Sequence, residues 1–60
     1  MKKEIYGAYS ASNDITFIMT DTFDDDGNIL STEVTGFIYG NEENNMVALQ
    51  KFNGNIKAEF

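Results

Sequence analysis

The sequence contains no cysteine, histidine, proline or tryptophan, and its four basic residues are all lysine. Without cysteine there can be no disulfide, and without histidine as well there is no ordinary zinc site. The same two absences remove the usual nucleophile–base pairs, because serine and carboxylates are left without their common partners. Missing cysteine leaves the compartment open, since it fits a reducing cytosol without excluding secretion. With no proline, no candidate strand is interrupted. Lysines stand only at positions 2, 3, 51 and 57, against ten acidic residues, for a net charge of −6. A nucleic-acid binder neutralises phosphates with clustered Lys and Arg. Direct nucleic-acid binding is therefore disfavoured, while a basic partner is allowed.

Long apolar runs are also missing. No stretch approaches membrane-spanning length, and Met1-Lys2-Lys3-Glu4 lacks the apolar run of a signal peptide. The expectation is a cytoplasmic protein with no membrane contact. Sixty residues suggest one small domain, 1–60. A chain of this size buries only about 60% of the surface its unfolded form exposes. Small domains usually compensate with disulfides, a metal or a partner subunit. With the first two excluded, oligomerisation or an unusually well-matched core remains.

Turn signals punctuate the chain at short intervals: Ser12-Asn13-Asp14, Asp24 to Asn28, Gly40 to Asn45, and Asn53-Gly54. The segments between them are rich in Ile, Thr, Phe, Tyr and Val, which suit a pleated surface. The pattern predicts an all-β fold, an antiparallel meander of about five strands at 3–10, 15–23, 29–39, 46–52 and 55–60. It would close as an open sheet or a small barrel. An α+β alternative puts a short helix around 42–52, capped by Asn41, striped by Met46, Leu49 and Phe52 and ended at Gly54. The hairpin at Asn53-Gly54 is preferred because it accounts for the apolar alternation of residues 55–60.

Register follows from a tight turn at Asp26-Gly27. Phe23 then faces Leu30, Met19 faces Val34, Phe17 faces Gly36 and Ile15 faces Ile38, all on one side, which is read as the core. Tyr6 and Ala8 join that side through the Ser12-Asn13 turn. The opposite side would gather Ile5, Tyr9, Ile18, Phe37 and Tyr39. That is more apolar surface than a monomer comfortably exposes, so these five form the expected self-association face of a homodimer.

The acidic stretch Asp21 to Glu33 partly matches an EF-hand loop, with Gly27 at the sixth position and Asp24, Asp26 and Glu33 at ligand positions. Thr22 occupies the first position, and strand-like segments flank the loop where helices are required. A solvated turn is the reading. Glu42 and Glu43 are adjacent, which in a strand would send them to opposite faces, and so make no acid/base pair. The five glycines form no phosphate-cradling loop. No catalytic residue, metal or cofactor is expected, and no enzyme. The expected function is an acidic protein-binding module, an inhibitor or adaptor that occupies a partner's surface. Its contacts would be Asp21, Asp24, Asp25, Asp26, Glu42 and Glu43, in one version mimicking a nucleic acid. The alternative is an assembly subunit forming a homo-oligomer.

Overall fold

A computed structural model describes residues 1–60. Its elements are β1 (Lys2–Ser10), β2 (Ile15–Phe23), β3 (Ile29–Tyr39), α1 (Glu42–Gln50) and β4 (Ile56–Glu59). The strands form one open sheet in the order β3-β2-β1-β4. β1, β2 and β3 make an antiparallel meander, and β4 lies parallel to β1. The sheet is therefore mixed and four-stranded, with one short helix. A five-strand antiparallel meander is not what forms, and neither is a closed barrel.

The departure begins at Asn41. Its side-chain Oδ1 accepts from the Asn44 backbone N–H at 2.8 Å, and Glu42 and Glu43 lie in the first helical turn. A capping side chain and negative charge at the positive end of the helix both favour α1. The Asn53-Gly54 pair ends that helix rather than turning a hairpin. Asn53 takes a positive φ of 57°, and Gly54 N–H donates to the Leu49 carbonyl at 3.0 Å. The apolar stripe also differs from expectation. Asn45 and Leu49 are buried, whereas Met46 and Phe52 are exposed.

Helix α1 crosses from β3 at one edge to β4 at the other and covers the part of one sheet face around Gly7, Tyr9 and Thr16. Gly7 makes the close approach possible. A Cβ there would stand 2.8 Å from Thr16 Cγ2 and would also run into Leu49 Cδ1. Leu49, Asn45 and Thr16 are the fully buried side chains. Asn45 Nδ2 donates to Thr16 Oγ1 at 2.7 Å and to the Gly40 carbonyl at 2.9 Å. The centre of this small core is thus a polar bond between helix and sheet.

The β1–β2 register is as expected, with Tyr6 opposite Met19 and Ala8 opposite Phe17. In β2–β3 only the Met19–Val34 pair survives from the predicted set. One extra residue, Leu30, lies between the Thr22–Ser31 and Phe23–Ile29 pairs. A second, Thr35, lies between Met19–Val34 and Ile18–Gly36. The Thr35 bulge is held by its own side chain, which donates to the Ile18 carbonyl at 3.3 Å and lies 3.2 Å from the Thr20 hydroxyl. Because side chains alternate with period two, one extra residue transfers everything beyond it to the other face. Phe17 consequently pairs with Phe37, and Ile15 with Tyr39.

Candidate interaction face

The two sheet faces have the reverse of their expected roles. Ile5, Gly7, Tyr9, Thr16 and Ile18 share the face that α1 covers. Tyr6, Ala8, Phe17 and Met19, read from the sequence as core, share the face that nothing covers. The expected self-association set is divided accordingly: Ile5, Tyr9 and Ile18 lie on the helix side, and Phe37 and Tyr39 on the open side. The bulge at Thr35 is the physical cause.

On the open face three phenylalanines pack on one another. Phe17 meets Phe37 edge-on with ring centres 5.4 Å apart, and stacks on Phe60 at 5.9 Å. Such geometry suits the ring quadrupole. Phe17 is half-buried between them, while Phe37 and Phe60 remain 55% and 67% exposed. Tyr39 is 78% and Val34 52% exposed along the same strand face. More aromatic surface is spread over this face than is buried under the helix. The role of Phe60 was not foreseen, since it depends on β4 crossing to β1. Gly36 beside Thr35 was the one sequence signal for the bulge, because a glycine inside a strand pattern often marks one.

The six expected acidic contacts do not form one surface. Asp21 is buried, accepting from Thr32 Oγ1 at 2.8 Å and Tyr6 Oη at 3.4 Å. Burial, and then the Asp21 charge, raise the Tyr6 phenol above its usual range. Asp24 is consumed by its own turn. Its Oδ1 accepts from the backbone N–H groups of Asp26 and Asn28, each at 2.9 Å. The Asn28 N–H is the main reason its carboxyl is held below the usual value. Asp25 and Asp26 point into solvent at that tip.

Glu42 and Glu43 sit at the opposite end of the sheet. The nine-residue β2 separates the two ends by about 26 Å. Asp14 and Glu59 join them there. Tyr9 Oη donates to Asp14 Oδ1 at 2.9 Å, and that bond is the leading cause of a raised Tyr9 pKa. Glu42 is also raised, first by hydrogen bonding with the Glu59 carboxyl and then by desolvation. This end carries four carboxylates and no lysine. Lys2 and Lys3 open β1 at the other end, Lys51 closes α1, and Lys57 reaches back to Glu4.

No protein-family model, no curated protein and no solved structure matches the chain. No helix is long and apolar enough to cross a membrane.

Proposed function

We propose that this chain is a non-enzymatic protein-binding module that works by covering a partner's surface with its open aromatic face. The observation that carries this reading is the cluster Phe17–Phe37–Phe60 on a sheet face with no helix over it. Aromatic residues at the centre of a patch, with charge kept to its ends, match the anatomy of protein interfaces. The acidic end formed by Asp14, Glu42, Glu43 and Glu59 would orient the module toward a basic partner and speed encounter. A nucleic-acid-mimicking inhibitor is the narrower form of this proposal, with that end standing in for phosphates. The acidic hairpin tip, about 26 Å away, contributes a separate contact.

The test compares wild-type bait with Phe37→Glu bait in quantitative capture from a host lysate. A protein retained by the wild type and lost from the variant supports the face as the working surface. Identical capture by both baits overturns it.

The size of the face favours a second reading, a homodimer. Principal extents of 35 × 21 Å give a footprint of roughly 700 Å², close to the ~800 Å² per partner of a standard interface. Two copies meeting face to face would bury the aromatic cluster of each.

A further inference from the structure

Away from both sheet faces, the edge where β4 lies is incomplete. β4 meets β1 only from Gly7 upward, with Gly7 opposite Ile56 and Tyr9 opposite Glu59. Gly7 N–H donates to the Asn55 carbonyl and Tyr9 C=O accepts from Phe60 N–H, each at 2.9 Å. Alternate residues of a strand direct their backbone groups to the same side, so Lys3 and Ile5 present theirs to this edge as well. Below Gly7 there is no strand to receive them. None of the backbone hydrogen bonds outside the regular elements uses Lys3 or Ile5. Gly54 passes close to the Ile5 carbonyl, where a Cβ would stand 3.1 Å from the oxygen. The chain then swings away through Asn53 and Phe52 and leaves a notch beside the lower part of β1.

The notch holds the single cavity of the molecule, about 340 Å³, lined by Lys3, Glu4, Ile5, Phe52, Asn53, Asn55 and Lys57. That volume is within the range of ligand sites, ~300–1,000 Å³. It is also the place where two of four lysines converge in a chain of charge −6. Glu4 lies 4.0 Å from Lys57 and 3.7 Å from Lys2; the two lysine side chains are well exposed and that of Glu4 is partly exposed. Exposed pairs of this kind contribute little, so an incoming carboxylate can displace Glu4 from Lys57. Free strand edge, cationic flanks, carboxamides and one aromatic wall therefore occur together.

We infer that this notch receives an extended acidic peptide segment of a partner protein, added as a short strand to the Lys3–Ile5 edge. Backbone pairing supplies the attachment, and carboxylates meeting Lys3 and Lys57 supply the selection. The site is independent of the open aromatic face.

The test is a titration of the ¹⁵N-labelled protein with a capped peptide alternating glutamate and valine, at low salt. Amide shifts should centre on Lys3, Ile5 and residues 52–57, saturating in the low-millimolar range or below. Methylating the alternate peptide nitrogens that face the edge should weaken binding by about tenfold or more. The double variant Lys3→Glu/Lys57→Glu, both positions being surface sites, should lose the glutamate peptide and gain its lysine–valine counterpart. Absence of shifts, shifts centred on the open face, or equal binding of the N-methylated peptide would each overturn the inference. Capture through the open face fails or succeeds separately, because Phe37→Glu does not touch the notch.

Discussion

Asn45 of α1 and Thr16 of β2 are joined by a 2.7 Å hydrogen bond between two side chains that solvent does not reach. The sheet and its helix therefore depend on a polar contact where most small domains place apolar ones. Asn45 Nδ2 also satisfies the Gly40 carbonyl, while its Oδ1 has no partner. Asn45→Ala should destabilise the fold by roughly 2–4 kcal/mol, combining a cavity with an orphaned carbonyl. Thr16→Val leaves the Asn45 amide one bond short and should cost about 1–2 kcal/mol. Urea unfolding of both variants and of the double variant measures the coupling. Additive losses would show that the bond contributes nothing of its own.

Gly7 bears on the same contact from the β1 side. Its missing Cβ is the space that the Leu49 and Thr16 side chains occupy. Gly7→Ala should displace α1 and cost about 1–3 kcal/mol through overpacking, even though alanine suits a strand better than glycine does. Circular dichroism should show helix signal lost before sheet signal on warming. A variant as stable as the wild type would mean that α1 packs less closely.

How much of this was legible differs along the chain. Residues 2–39 were read as three strands with nearly the observed limits, because β-branched segments between turn residues give a strong local signal. Which β3 side chains share a face with which of β2 was legible only from Ser31 to Val34, since the extra residue Leu30 already puts Ile29 rather than Leu30 opposite Phe23. Beyond Val34 the reading failed, because Thr35 adds a residue on one strand and the period-two pattern contains no mark of it except Gly36. In the last third, Asn41-Glu42-Glu43 and Asn53-Gly54 each support two structures, and local propensity alone could not choose. Tertiary burial of Leu49 against Gly7 decides for the helix. The acidic contacts were misplaced for a related reason. Hairpin tips and helix starts look alike in sequence, but topology sends them to opposite ends.

Thr35→Val tests the bulge. The valine keeps the shape but removes the hydroxyl that donates to the Ile18 carbonyl across the interrupted ladder. A loss of about 0.5–1.5 kcal/mol is expected. Deleting Thr35 altogether should remove the bulge and leave Gly36 opposite Ile18 and Phe37 opposite Phe17 in an uninterrupted ladder. Inserting a residue after Thr35 should instead move Phe37 and Tyr39 to the helix side. The aromatic contact between Phe17 and Phe37, visible as ring-current shifts in the proton spectrum, should persist in the deletion variant and disappear in the insertion variant.

The two shifted carboxyls give opposite pH dependences. The folded pKa of Glu42 is raised by its Glu59 neighbour, so its contribution is full below the unfolded pKa and lost as pH rises through the folded value. The folded pKa of Asp24 is lowered, so its contribution is full above the unfolded pKa and lost as pH falls through the folded value. Glu42→Gln should therefore flatten the decline in stability on the neutral side of the carboxylate range. Asp24→Ala should flatten the decline on the acid side. Melting temperatures measured between about pH 2 and 7 separate the two. An unchanged slope in either variant would mean that its carboxyl titrates alike in folded and unfolded chains.

Whether the open face meets a second copy is decided by mass. If two copies pair through it, sedimentation equilibrium should give a dimer that dissociates on dilution, and the melting temperature should rise with concentration. Phe37→Glu should return the protein to a monomer, since a dimer would bury the new carboxylate without a partner. In the monomer the same change should cost about 0.5–1.5 kcal/mol, from the lost edge contact with Phe17, because position 37 is already 55% exposed. Phe52→Glu serves as the control. Phe52 is equally exposed but follows α1 and lines the notch beside β1, away from the open face. A dimer abolished by Phe37→Glu and kept by Phe52→Glu assigns the interface to the open face. A strictly monomeric wild type would leave that face to a different protein. Loss of the dimer in the Phe52 variant alone would place self-association at the notch beside β1 instead.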